Sequence, residues 1–309
     1  QSKVAQPAAI PADLAGQAEE LRATMVEFAA ENDEALMEKF FEGEALSADE
    51  LLAGLKMGVA TGLVPVTVAS ATRNIGTLPL LDLIIGLAPS PADRPAAKGI
   101  KPHSDQVLER PADASAPFSA YCFKCVLGEG RRISLIRVLS GTAAAGAQVY
   151  NATKGDKERL GTFGYMRGGE LMDCTSLVAG DIVGVVKIDA GAGDTLCDDS
   201  AHILYAPTVY PTPLMSLAIQ AKSRGDDEKV GQAMNALKDE DPSMRFARNP
   251  ETEQQVLSGM GDMHLQTILS KLKNRFKVEV ETSKPKIAYK ETVRSRAEAQ
   301  GRYKKQTGG

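Results

Sequence analysis

Few residues in this chain have the type and spacing to do chemistry. Cys122 and Cys125 form a CxxC inside the apolar run YCFKCV. Thiols at that spacing can hold zinc or exchange disulfides. The run reads as a strand, though, where residues three apart point to opposite faces. No second CxxC completes a tetrahedral site, so buried thiols in a reducing compartment are expected and no metal site is. His264, in GDMHLQ, has no nucleophile or ligand partner nearby in sequence; catalysis needs a constellation, so a packed histidine at a domain interface is expected. His103 and His202 lie in linker-like contexts. Thr153-Lys154-Gly155-Asp156 has the form of a base-specifying TKxD, and Asp181-Ile182-Val183-Gly184 that of a DxxG switch loop. Both sit among strand-like runs, where a hairpin turn and an ordinary strand explain them. No GxxxxGKS/T is present to cradle phosphates and place a lysine, so no catalytic residue is assigned.

The elements that would position these residues are clearest between Gln255 and Glu281, QVLSGMGDMHLQTILSKLKNRFKVEVE. A short strand meets a corner, Ser258-Gly259-Met260-Gly261, whose glycines are expected to supply backbone conformations closed to other residues. Leu265, Ile268, Leu269, Leu272 and Phe276 then recur at spacings of three and four, marking one buried helix face. Lys271, Lys273, Arg275 and Lys277 make the far end basic, which suits the helix dipole. Val278 and Val280 alternate with acids as in a half-buried strand. Upstream, a strand over 214–221, a helix over 226–238 and strands over 244–248 and 254–258 complete the order. With the helix over 262–276 and the strand over 277–282, this is the β-α-β-β-α-β split motif.

The remainder is organised by punctuation. The first 60 residues read as acidic helices, with Leu21, Met25 and Phe28 on one face and Ser47–Glu50 as a capping box. LVPVTVA, residues 63–69, reads as a buried strand running through Ser70–Gly76 into a helix over 77–87, the edge of a doubly wound α/β sheet. Prolines stud 88–102. Between Pro117 and Leu204, short β-branched runs divided by glycines suggest a small antiparallel barrel. Residues 285–309 read as extended and basic. The domains expected are therefore 1–95, 103–206, 212–284 and the start of another at 285–309. A chain beginning at Gln1 reads as a piece of something longer. The longest apolar run, 78–87, is broken by Asp82 and too short to span a bilayer; with no signal peptide, a cytoplasmic monomer is expected.

The charge is uneven. Residues 1–60 carry four Lys/Arg against twelve Asp/Glu, whereas residues 271–309 carry twelve against four. A basic end suits a phosphate-bearing partner, because neutralising phosphates dominates such affinity. Lys284, Lys286, Lys290, Arg294 and Arg296 are the candidate RNA contacts; a solvated surface is the alternative.

The stretch 255–281 closely resembles the third domain of bacterial elongation factor G, of the translational GTPase family. Pro213–Ile219 and Asp239-Glu240-Asp241-Pro242 resemble the same domain. LVAGDIVGV and Gly193–Asp198 are similar to segments of that family's second-domain barrel, and Lys284-Pro285, Tyr289–Thr292 and Gln306–Gly309 to the opening of its fourth domain. Ser70-Ala71 resembles the last guanine-base loop. The resemblance implies the C-terminal part of a P-loop-type α/β GTPase domain, then an antiparallel β-barrel, then a ferredoxin-like α+β domain. It implies GTP and Mg2+ in the intact parent, with Ser70 and Ala71 as a partial base-binding loop acting through backbone N–H groups. It also implies a ribosome partner (rRNA and ribosomal proteins, tRNA and mRNA indirectly) and a role coupling GTP hydrolysis to tRNA and mRNA movement, this piece not being catalytic alone. The first barrel hairpin lacks the family's usual Asp-Pro, and Gln220-Ala221-Lys222 replaces a usual Glu-Pro-Lys. An accessory paralogue, a ribosomal-protection factor and a stand-alone RNA-binding module therefore stay open.

Overall fold

The computed structural model describes residues 9–128, 131–223 and 225–302. The chain divides into two compact units. One comprises the residues up to Cys122 with Leu135–Ala190 and Asp194–Ala206; the other comprises Phe123–Ser134, Gly191–Gly193 and the residues from Pro207 on.

The first unit opens with helices α1 (Ala15–Ala30), α2 (Glu34–Phe41), α3 (Ala48–Thr61) and α4 (Thr77–Leu87). Small residues set the contact of α1 with α3: Ala29 and Ala30 are buried, and a Cβ on Gly54 would stand 2.4 Å from the Ala29 carbonyl oxygen. The capping box forms as its spacing predicts. Glu50 N–H donates to Ser47 Oγ at 3.3 Å and Ser47 N–H to Glu50 Oε2 at 2.9 Å. Lys39 and these Ser47 bonds hold the Glu50 carboxyl down to about 2. Leu21 and Phe28, read as an apolar face, are exposed.

The strand expected over 63–69 does not form. Val64, Val66 and Val68 are 77–92% exposed, and the segment has no ladder; only an isolated bridge between Ser70 and Ile75 closes the loop behind it. An apolar run becomes a strand only where a neighbour accepts its backbone hydrogen bonds, and no described strand lies beside it.

The β-rich part begins with β1 (Ala97–Ile100) paired to β2 (Val107–Arg110). There follow β3 (Ser119–Gly128), β4 (Arg131–Ser140), β5 (Thr142–Ala144), β6 (Gln148–Asn151), β7 (Asp156–Arg159), β8 (Phe163–Arg167), β9 (Glu170–Asp173), β10 (Ser176–Val178), β11 (Ile182–Val186) and β12 (Thr195–Cys197). Eight of these make a sheet of order β7-β6-β12-β3-β4-β11-β8-β9, with β10 and β5 paired separately. The expected barrel is thus an antiparallel sheet whose order is open among the described residues. Phe163, Leu160, Leu177, Leu196 and Ile203 are fully buried within this unit. A chain of hydroxyls crosses it. Ser140 Oγ donates to the Pro117 carbonyl at 2.7 Å, so Ser119 donates to Ser140 at 2.6 Å and Tyr205 to Ser119 at 2.7 Å.

The second unit carries β13 (Met215–Ala221), α5 (Asp227–Glu240), β14 (Arg245–Arg248), β15 (Gln255–Gly259), α6 (Asp262–Phe276) and β16 (Val280–Ser283). The antiparallel order β14-β15-β13-β16 is the ferredoxin-like arrangement read from the sequence. Register places Leu217 opposite Leu257 and Ile219 opposite Gln255. Ile219 and Leu257 pack with Val230, Met234 and Leu237 of α5 and Leu265, Ile268 and Leu272 of α6. Of the periodic residues read from sequence, Leu265, Ile268 and Leu272 are therefore core, and Leu269 and Phe276 pack partly buried against it.

Candidate functional site

The corner between β15 and α6 is built around His264. Its Nδ1 accepts the Met260 N–H at 3.0 Å, and its Nε2 lies 2.8 Å from Asp241 Oδ2 just beyond α5. A ring that accepts at Nδ1 donates from Nε2, so one neutral tautomer satisfies both partners. Burial pushes the Asp241 carboxyl up, but hydrogen bonds from Ser243 and His264 outweigh it and leave it below its ordinary value. The sequence offered no partner for His264; Asp241, 23 residues away, is the one it missed, and only the fold brings them together.

The glycines of the corner act differently from expectation. Neither has a positive φ in the left-handed region, and Gly261 is fully extended at φ 175. Gly259 sits in close quarters instead, since a Cβ there would stand 3.0 Å from Leu265 Cδ2 and 3.1 Å from His264 Nδ1. Nothing in the structure explains Gly261, which has open space around it.

The basic end of α6 is largely neutralised. Lys271 Nζ meets Glu240 Oε1 at 3.0 Å and Arg275 Nη1 meets Glu240 Oε2 at 2.8 Å. Burial raises the Glu240 carboxyl, but the two cations lower it further, so it stays ionised. Lys273 and Lys222 both bond Glu279, holding its carboxyl down to about 2. Arg275 also donates Nη2 to the Leu127 carbonyl at 3.0 Å, both residues within the second unit.

Of the five candidate RNA contacts, Lys290 pairs with Glu251 at 2.6 Å and Arg296 with Glu298. Lys284, Lys286 and Arg294 are exposed and make no ion pair among the described residues. Lys286 is tied by its backbone N–H to Gln254 Oε1 at 2.7 Å. The segment 284–302 has no strand or helix. Gln306–Gly309, read as part of a fourth domain, lies outside the described residues.

Ser70 and Ala71 sit in a tight loop. Ser70 N–H donates to Ile75 O at 2.9 Å and is used up; Asn74 N–H reaches the Ala71 carbonyl at 3.2 Å. The Ala71 N–H has no acceptor among the described residues.

The two nucleotide-like motifs are structural. Thr153–Asp156 turns β6 into β7: Asn151 Oδ1 accepts the Thr153 and Lys154 N–H groups at 3.2 Å each, and Lys154 Nζ reaches Asp189 Oδ2 at 2.6 Å and Asp194 Oδ2 at 3.6 Å. Asp181 is tied up by the Val178 N–H at 2.8 Å and the Tyr165 hydroxyl at 3.0 Å, and Gly184 pairs with Gly164. Cys122 and Cys125 are buried. Among the described residues, no group of three His, Cys, Asp or Glu could hold a metal ion, and no helix is long and apolar enough to cross a membrane.

Two family models match consecutive parts of the chain. The sequence model for "Elongation factor G domain 2" matches residues 117–199 and that for "Elongation Factor G, domain III" matches 210–284. A crystal structure of a protein from Thermus thermophilus is 29% identical with a TM-score of 0.75; the match covers 91% of this chain and 40% of that one. This chain thus spans less than half the length of that relative. The two matched domains occur in one order, fill a little over half of the 309 residues, and the second has the β-α-β-β-α-β topology seen here; the chain belongs to the elongation factor G family.

Proposed function

We propose that this chain provides the ribosome-docking and force-transmitting domains of a ribosome-dependent translational GTPase, which couples GTP hydrolysis to movement of tRNA and mRNA. The observation that supports this reading is the pair of consecutive elongation factor G domains, 117–199 and 210–284, on one chain. The proposed division is a GTPase-domain portion over 1–95, the β domain over 103–206, the ferredoxin-like domain over 212–284 and a further domain opening at 285. GTP and Mg2+ would be held by a phosphate loop this sequence lacks, and Ser70 and Ala71 would form part of the base-binding loop through backbone N–H groups. The proposed setting is a cytoplasmic monomer bound to rRNA and ribosomal proteins. A translocase and an accessory paralogue would share all of these features.

Two measurements test the reading. Calorimetry with GTP should show no binding at micromolar nucleotide, and micromolar affinity would overturn the division of labour. Co-sedimentation with ribosomes should show pelleting that falls steeply between low and high salt, as phosphate neutralisation requires. Absence of pelleting at low salt would remove autonomous docking. A second reading, a stand-alone RNA-binding module, is favoured by Lys284, Lys286 and Arg294, whose charges no described carboxylate offsets. It predicts equal affinity for naked RNA and for ribosomes.

A further inference from the structure

We propose that Arg94, Arg110 and Arg137 form a discrete oxyanion site in the first unit, suited to a phosphate group. The three arginines line one cavity of about 40 Å3, walled by Pro91, Val138 and Gly180, and no acidic residue lines it. The wall is close-set: a Cβ on Gly180 would stand 2.8 Å from the Pro91 ring.

The carboxylates nearest in sequence are all engaged elsewhere. Asp93 accepts the Ser90 N–H at 2.8 Å and meets Lys56 at 3.1 Å. Glu109 meets Lys98 at 3.3 Å. Asp113 accepts from the Ser115 N–H and hydroxyl at 2.8 and 2.9 Å. Asp181 is taken by Val178 and Tyr165. The three arginines therefore share the cavity without a counter-ion among the described residues. Arg110 donates Nη2 to the Ala201 carbonyl at 3.3 Å, while its Nε is buried with no hydrogen-bond partner among them. A buried charged donor left unmade is costly. An anion beside these three positive side chains would supply the missing partner.

Size and chemistry narrow the ligand. A cavity of about 40 Å3 exceeds the roughly 10–15 Å3 needed to admit one water-sized group but is far too small for a nucleoside. Guanidinium forks favour phosphate oxygens over a spherical halide. Inorganic phosphate and the phosphodiester of an RNA strand share this chemistry. The site stands on its own geometry and does not depend on the function proposed above.

The test is titration of the full chain with inorganic phosphate at constant ionic strength, sodium chloride making up the difference, followed by heteronuclear NMR. Saturable shifts around Arg94, Arg110 and Arg137 are expected. Arg94→Gln and Arg137→Gln should each weaken binding about tenfold, since each removes a charge-assisted contact. Both residues are exposed and their side chains hold no other bond among the described residues, so the fold should persist. Absence of saturation at tens of millimolar phosphate, equal shifts with chloride, or unchanged affinity in the folded Arg94→Gln/Arg137→Gln double variant would overturn the site. A short single-stranded RNA is the second arm. Competition with phosphate that disappears in the same variants assigns the phosphodiester; phosphate binding untouched by RNA assigns the free ion.

Discussion

His264 Nε2 lies 2.8 Å from Asp241 Oδ2 while its Nδ1 accepts the Met260 N–H, so one imidazole ties the β15–α6 corner to the end of α5. This is a structural use of a histidine that sequence alone presents as a lone candidate. Its two bonds fix a tautomer and leave no free ring nitrogen to act on a substrate.

His264→Ala should therefore destabilise the second unit by about 1–3 kcal/mol, because Met260 N–H loses its acceptor and Asp241 a donor. His264→Asn, which can accept from Met260 but not reach Asp241, should fall between. Urea denaturation of the three proteins checks this; an Ala variant as stable as the parent would refute the role.

The same site predicts acid sensitivity. Burial raises the Asp241 carboxyl, and the bonds from Ser243 and His264 more than offset it, so the folded value lies below the ordinary 3.8. A depressed folded value means stability that is fully present above the unfolded value and is lost as pH falls through the folded one. The contribution should fade below about pH 4. Ser243→Ala should flatten that slope in acid denaturation monitored by circular dichroism.

Glu240 is the second hub, and its removal should cost more than removal of either partner. Its side chain is 14% exposed and takes both Lys271 and Arg275. Glu240→Gln leaves two cations facing a weaker acceptor, with an expected loss of about 1–3 kcal/mol. Arg275→Met leaves Lys271 in place and should cost less. Equal melting temperatures for the two variants would argue against a shared hub.

The ferredoxin-like unit was legible because its last helix announces itself by period: Leu265, Ile268 and Leu272 could face inward in only one way. Residues 63–69 were not, since LVPVTVA has the composition of a buried strand but composition does not say whether a partner lies alongside. The Thr153–Asp156 turn was legible as a turn, yet the Lys154–Asp189–Asp194 cluster behind it was not, because its members come from separate strands and loops. The partner of His264 was hidden for the same reason. Side chains that meet across 23 residues, as His264 and Asp241 do, leave no periodic trace.

Gly259 and Gly261 look alike in sequence and should behave differently. Gly259→Ala forces a Cβ to 3.0 Å from Leu265 Cδ2 and beside His264, and such overpacking typically costs about 1–3 kcal/mol. Gly261→Ala meets open space on an extended backbone and should be neutral within about 0.5 kcal/mol, as for a surface change away from special features. Paired thermal melts decide it. Equal losses at both positions would mean that the corner needs glycine conformations after all.

The basic segment gives the sharpest division among residues of one type. Lys284, Lys286 and Arg294 have no ion-pair partner among the described residues, whereas Lys290 and Arg296 are engaged by Glu251 and Glu298. Exposed pairs are weak, so an anionic partner can strip them, but the glutamates remain nearby and oppose the incoming phosphates. Replacing Lys284, Lys286 or Arg294 by Ala should lower ribosome or RNA affinity at low salt. Each such change should also reduce the slope of log affinity against log salt by roughly one unit for every phosphate that the side chain neutralises. Replacing Lys290 or Arg296 should change the slope less, because the charge removed was already offset. Glu251→Gln should then raise affinity by freeing Lys290. Co-sedimentation across a salt series measures every variant on one axis; identical slopes for all five cations would show that the segment is a solvated surface rather than a phosphate contact.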